Sequence, residues 1–333
     1  MDPMKGFDDR YRDVPDFIIG ITFDIWEGRQ IGSLSSRYAP GLVVRSPSSV
    51  VTDNVGVIAA TMATLAEFPD RKLMGEDVIW STDEDRTDAD SEAYLSSHRL
   101  FSTATHVGHG VYGAPTGTKL AYRILADCAI RGDQVDDEWL IRDQGAIVRQ
   151  LGWAPKDYAR DLISREGGPE RCVKPLTRAT DVEGPYKGRG NDDEWGARLA
   201  DMLGRIMRAD FSAIHADYDR AAHLEYPAGW QGHGREAADR FWMGLRASFP
   251  SATFTVHHVI GRDDPMMPPR AAVRWTLDGR HDGWGAFGRP TGVPVHVLGI
   301  THAEFGPWGL RREWTLIDET AIWKQILLET GDV

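Results

Sequence analysis

One segment of this chain occurs twice, and that duplication restricts its possible architectures more than any other feature. The run His106-Val-Gly108-His-Gly110-Val-Tyr112-Gly113-Ala-Pro115-Thr116-Gly117 returns as His281-Asp-Gly283-Trp-Gly285-Ala-Phe287-Gly288-Arg-Pro290-Thr291-Gly292. Each copy is followed at matching distances by Glu-Trp (Glu138-Trp139, Glu313-Trp314), an aspartate (Asp143, Asp318), Ala-Ile and a glutamine (Gln150, Gln325). The offset is constant (281 − 106 = 318 − 143 = 175), and 106–151 aligns on 281–326 without a gap, with 13 identities in 46 positions. Unrelated segments of ordinary composition would share about 3. Upstream, Arg99 and Arg274 each stand seven residues before their histidine, and Phe68-Pro69 answers Phe249-Pro250. A period this long describes domains, not solenoid turns. Two like units are therefore expected, at 14–152 and 191–330. They are separated by a linker at 153–190 carrying Gly167-Gly168-Pro169, Lys174-Pro175 and Gly184-Pro185, with a short helix over 156–164.

Within each unit the hydrophobic period changes from helical to alternating. The first unit opens with an apolar stretch over 17–26. The second opens with Trp195, Leu199, Met202-Leu203, Ile206-Met207, Phe211 and Ile214, which is one buried helical stripe. A second helical segment, from Val55 or Ala237, stops at Pro69 or Pro250. Strands are expected at 72–81, 93–105, 120–131 and 134–142, and at 253–262, 271–277, 295–305 and 309–317. Helices first and sheet afterwards is α+β. The Pro-Thr-Gly segment supplies the turn between two long antiparallel strands.

Composition narrows the partners. The 38 basic and 50 acidic residues give a net charge of −12, which argues against nucleic acid and against an anionic membrane surface. Two cysteines, Cys128 and Cys172, are too few for a disulfide framework, and Met1-Asp2-Pro3-Met4-Lys5 has no basic-then-apolar leader pattern, so a cytoplasmic location is expected. Among the histidines, His106 and His109 would fall on opposite faces of a strand, and no Cys/His framework accompanies them. No metal site is expected.

The residues His106-x-Gly-x-Gly-x-Tyr112-Gly-x-Pro-Thr-Gly117, then Glu138-Trp139-x-x-x-Asp143 and Gln150-Leu151-Gly152, resemble the SnoaL-like polyketide cyclases of the nuclear-transport-factor-2-like superfamily. The second unit resembles them at the same positions. The resemblance implies two cone-shaped α+β barrel units, each a curved antiparallel sheet wrapped around helices, with a deep apolar pocket and no cofactor. It also implies pairing of cones through their sheets, here as a pseudo-dimer within one chain, with further homodimerisation open. One departure stands out: many such cyclases carry histidine between the glutamate and the tryptophan, and both units here lack it.

In that family an aspartate near the Glu-Trp segment acts as acid/base, which points to Asp143 and Asp318. A carboxylate at the mouth of an apolar pocket loses hydration and its pKa rises toward neutrality. Each aspartate also precedes the last helix and could simply cap it. Asp127 and its counterpart His302 stand on the strand after Pro-Thr-Gly. They would give an Asp/Asp pair in unit one and a His/Asp pair in unit two if they face inward, and would lie in the contact between units if they face outward. His106 and His281 could orient a carbonyl. Trp139, Trp314, Tyr112, Arg99 and Arg274 are candidate substrate-binding residues. These readings converge on a cofactor-independent acid/base enzyme acting on a small apolar or aromatic carbonyl compound, an isomerase, aldol-type cyclase or lyase, or dehydratase. Unit two, with its denser polar set, is the preferred active pocket. The competing expectation is a non-catalytic binding or scaffolding protein with two pockets.

Overall fold

The computed structural model describes residues 4–333. The leader reading at Met1 to Pro3 lies outside them. Unit one runs α1 (Val14–Trp26), α2 (Leu34–Arg37), β1 (Tyr38–Ser46), β2 (Ser49–Val51), α3 (Asn54–Glu67), β3 (Lys72–Thr82), β4 (Ala93–Thr105), β5 (Lys119–Arg131), β6 (Gln134–Arg142) and α4 (Gln144–Gln150). A helix α5 (Pro155–Arg165) occupies the connecting segment. Unit two repeats the order as α6 (Glu194–Met207), α7 (Ser212–Asp217), β7 (Tyr218–Tyr226), β8 (Trp230–His233), α8 (Arg235–Ser248), β9 (Thr253–Arg262), β10 (Arg270–Arg280), β11 (Pro294–Gly306), β12 (Gly309–Leu316) and α9 (Glu319–Thr330).

Each unit holds one six-stranded sheet, ordered β2-β1-β6-β5-β4-β3 and β8-β7-β12-β11-β10-β9. The pairing is antiparallel except where β1 meets β6 and β7 meets β12, which run parallel. The first hairpin of each unit, β1–β2 and β7–β8, was absent from the sequence expectation. Pro40 and Gly41 interrupt β1 and the register shifts between Tyr38 and Val43, so no clean alternation marks that strand. Helix starts follow capping chemistry: Asp13, Asp53, Asp143, Asp193 and Asp318 each accept backbone N–H bonds from the first turn of α1, α3, α4, α6 and α9. The α6 stripe Leu199, Met202, Leu203, Ile206 and Met207 is buried as its spacing requires.

The two sheets face one another. Leu125 and Ile141 of unit one cluster with Leu298, Ile300 and Leu316 of unit two, and Ile79, Leu95 and Ala129 with Ile260 and Ala272. Leu176 and Tyr186 of the connecting segment join these clusters. Central strands are thus covered on both faces, which explains the near-continuous burial of β4. Among the described residues no helix is long and apolar enough to cross a membrane.

Candidate functional site

The interiors of the two cones differ, and comparing them register by register locates the site. In unit two Trp242, Trp275, Phe249, Tyr218 and Phe305 are fully buried and fill the cup. The Trp275 indole lies so close to Gly299 that a Cβ there would sit 2.2 Å from it. Phe249 and Tyr218 keep like residues in unit one, Phe68 and Tyr38, but several neighbouring positions are smaller. Trp242 of α8 corresponds to Thr61 of α3, Phe241 to Ala60, Trp275 to Leu100 and Tyr226 to Ser46. Those four residues of unit one line a cavity of about 510 Å³, bounded by α1, α3 and the concave face of β4–β6.

Glu138 of β6 projects into this cavity. Its counterpart Glu313 is fully buried and locked. It accepts hydrogen bonds from Tyr218 Oη (2.6 Å) and Tyr226 Oη (2.9 Å) on Oε2, and from Thr315 Oγ1 (2.6 Å) on Oε1. In unit one the first donor is kept as Tyr38, and the other two are replaced by Ser46 and Leu140. Burial therefore pushes the Glu138 carboxyl up to about 7, the Tyr38 hydroxyl offsets only part of this, and the charge of Asp137 adds to it. His98 of β4 lines the same cavity, with Nδ1 unpartnered. Burial drives its pKa down to about 4, so the ring is neutral at physiological pH.

At another part of the wall stand Arg71, Arg142 and Glu67, together with Asp318, which reaches the cavity from unit two. Asp318 Oδ1 caps α9 through Thr320 N (2.8 Å) and Ala321 N (3.0 Å), and burial raises its pKa to about 6. Asp143 has no such access. Its Oδ1 accepts from Ala146 N and Ala228 N (both 2.9 Å) and its Oδ2 from Gly229 N (2.8 Å), so it caps α4 and clasps unit two. Burial raises it to about 6 as well, with the backbone amides pulling back.

The other candidates lie elsewhere. Asp127 and His302 face outward, into the contact between sheets, and form no pair with Asp143 or Asp318. Asp127 accepts from Arg274 Nε (2.9 Å), His258 Nδ1 (3.1 Å) and Ser97, whose hydroxyl also meets His302 Nε2 at 2.7 Å. Burial opposes the Asp127 charge, but His258 and Arg274 hold its pKa far below the usual carboxylate range. Burial keeps His302 neutral. Arg99 lies 3.5 Å from the ring centroid of Trp314, and Arg274 3.5 Å from that of Trp139, so four of the five candidate binding residues stack across the two sheets. Arg99 of β4, Asp127 of β5 and Trp139 of β6 thus point outward, and sequence alone left that register open. His106 and His281 are buried in their turns, where Nδ1 meets Thr116 and Thr291 at 3.1 Å, and His106 Nε2 lies 3.3 Å from Glu67. Tyr112 packs on Tyr158 and bonds to Gln144 at the cavity's edge.

Unit two, preferred on sequence, has an interior filled by its own side chains, and its Asp318 lines the cavity of unit one. Glu138 was visible only as part of a motif. The signal that could have singled it out is the loss of its partners between copies, Tyr226 to Ser46 and Thr315 to Leu140.

Residues 199–311 match the SnoaL-like domain family. No curated protein matches the chain significantly. Among solved structures, IdmH of Streptomyces antibioticus, a proposed polyketide cyclase, is 22% identical, with a TM-score of 0.35 over 42% of this chain and 98% of its own. AclR of Streptomyces galilaeus, a proposed hydroxylase, is 19% identical, with a TM-score of 0.34 over 42% and 82%. A SnoaL-like polyketide cyclase of Agrobacterium tumefaciens is 18% identical, with a TM-score of 0.32 over 40% and 98%.

Proposed function

We propose that the open cup of unit one, the sister of the unit that matches the SnoaL-like domain, is the active site of a cofactor-independent acid/base enzyme, with Glu138 as its proton carrier. The observation that supports this is a carboxyl poised at about 7 in a cavity of about 510 Å³, when the same residue in the sister unit is buried under three hydrogen bonds. A general base works best when its pKa matches the operating pH. The ionised carboxylate removes a proton from the carbon beside a carbonyl, and the electron pair moves onto the carbonyl oxygen. Neutral His98, with Nδ1 unpartnered, is a donor for that oxygen, while the Tyr38 hydroxyl is held by Glu138 itself. The protonated Glu138 then returns its proton to another carbon, giving isomerisation, to a β-oxygen that leaves, giving dehydration, or to the oxygen of a second carbonyl whose carbon the enolate has bonded, giving aldol-type closure, of which cleavage is the reverse. Asp318 at the wall is a second proton-exchanging group.

Deuterium uptake from buffer into a panel of small aromatic and alicyclic ketones tests the reading. The rate should rise with pH and level off above about 7, and Glu138→Gln should lower it by about 100-fold. Unchanged uptake in Glu138→Gln overturns the assignment. Saturable ligand binding without uptake by the wild type would make the cup a binding module.

A further inference from the structure

Arg71 and Arg142 form a feature that proton transfer at Glu138 does not require. Both line the unit-one cavity. Arg71 is 1% exposed; its guanidinium carbon lies 4.1 Å from the Trp26 ring centroid, Nε meets Ser102 Oγ at 3.4 Å, and Nη1 has no partner. Arg142 carries a buried Nε that is likewise unpartnered. Among the described residues neither arginine forms a salt bridge, although most other buried arginines of the chain do, Arg45, Arg99, Arg270 and Arg274 included. The nearest acids are already engaged. Glu67 accepts from Tyr112 N (2.9 Å) and Val111 N (3.1 Å), and Asp318 caps α9 through Oδ1. Tyrosines complete the surroundings, with Tyr122 beneath Arg71 at 5.9 Å.

The duplication supplies a control. At the positions of Arg71, Arg142, Tyr122 and Tyr112, unit two has Ala252, Ile317, Val297 and Phe287. The fold therefore has no need of this cluster. Two guanidiniums on a buried wall without an ion pair of their own, Asp318 favouring the Arg142 charge only through space, are costly unless a ligand supplies a closer partner, and only the open unit contains them.

We propose that the unit-one cavity binds an organic carboxylate, its carboxyl group held by Arg71 and Arg142 and its reacting carbon directed to Glu138. The planar edge of each guanidinium suits a carboxylate, which accepts paired N–H bonds in one plane. Arg142 and Glu138 stand on the same face of β6, four residues or about 13 Å of strand apart. The ligand is therefore elongated, with its anionic group at one end and its carbonyl toward the other. This rests on the assignment of Glu138 given above, and the two can fail separately.

Biphenylcarboxylate, its 4-acetyl derivative and the matching amides serve as probes, titrated calorimetrically into the full-length chain. The acids should bind more tightly than their amides by about tenfold or more, and Arg142→Gln and Arg71→Met should each remove most of that difference. Arg142 is partly exposed, so its variant keeps the test decisive if Arg71→Met misfolds. Glu138→Gln should bind the acid as the wild type does while losing deuterium uptake into the acetyl group. Equal binding of acid and amide, or unaltered acid binding by Arg142→Gln, overturns the carboxylate proposal and leaves Glu138 untouched. Uptake that persists in Glu138→Gln overturns the catalytic reading and leaves the carboxylate site standing.

Discussion

Glu138 and Glu313 are the same residue at the same place in two copies of one fold, and their neighbours give them opposite characters. Three donors satisfy Glu313, whereas Glu138 faces a cavity with Tyr38 beside it. Linkage makes this measurable in the absence of substrate. Glu138 is raised from its ordinary 4.5 to about 7, so its contribution to stability is fully present below pH 4.5 and is lost as pH rises through 7. Glu138→Gln should therefore gain on the wild type across that window, by about 3 kcal/mol at pH 8. Buried histidines such as His98 and His302, with lowered pKa values, act in the opposite direction as pH falls. The wild-type profile alone can thus be flat, and the difference between the two proteins by urea titration is the informative quantity. No difference between pH 5 and pH 8 would show that Glu138 is not perturbed.

Elements rich in alternation were legible before the structure. The strands β4, β6 and β9 lie at their expected bounds, and β3, β5 and β10–β12 differ only at their ends. The last helices begin at Asp143 and Asp318 as capping chemistry implies. What the sequence hid is direction. A strand covered on both faces carries no polar side to mark which way its residues point, so Asp127 and Arg99 read equally well inward or outward. The open cup was hidden for another reason: it depends on which residue of α3 meets which residue of β4, a fact of packing. The exchange can be run in reverse. Thr61→Trp installs in α3 the indole that α8 carries as Trp242, and should close the cavity. Chain stability should rise by about 1–2 kcal/mol, as cavity filling commonly gives, while deuterium uptake falls by about tenfold or more from lost ligand burial. Retention of full uptake by a folded Thr61→Trp protein would place the chemistry outside this cup.

At the scale of the molecule, the contact between the sheets is charged at its centre. Asp127 of unit one is bonded to Arg274 and His258 of unit two, and Arg–Trp stacks flank the pair. Removing one partner leaves the other buried and uncompensated, so Asp127→Ala should cost about 3–5 kcal/mol by chemical denaturation at pH 7. Its pKa is lowered in the fold, so the stability it contributes is present above 3.8 and disappears as pH falls below that value. The deficit of Asp127→Ala should accordingly shrink in acid, the reverse of the trend for Glu138. A cost that is the same at pH 3 and pH 7 would show that charge is not what Asp127 contributes.

The Asp318 arrangement extends this beyond stability. One cup's rim is completed by a side chain from its sister, while the reciprocal residue, Asp143, is tied up by Ala228 and Gly229. Two identical subunits meeting about a true twofold axis could not acquire such one-sidedness, because every coding change would appear in both. Fusion into a single polypeptide breaks that constraint: one half is free to become ballast and scaffold, and the other to trade its own solidity for an opening.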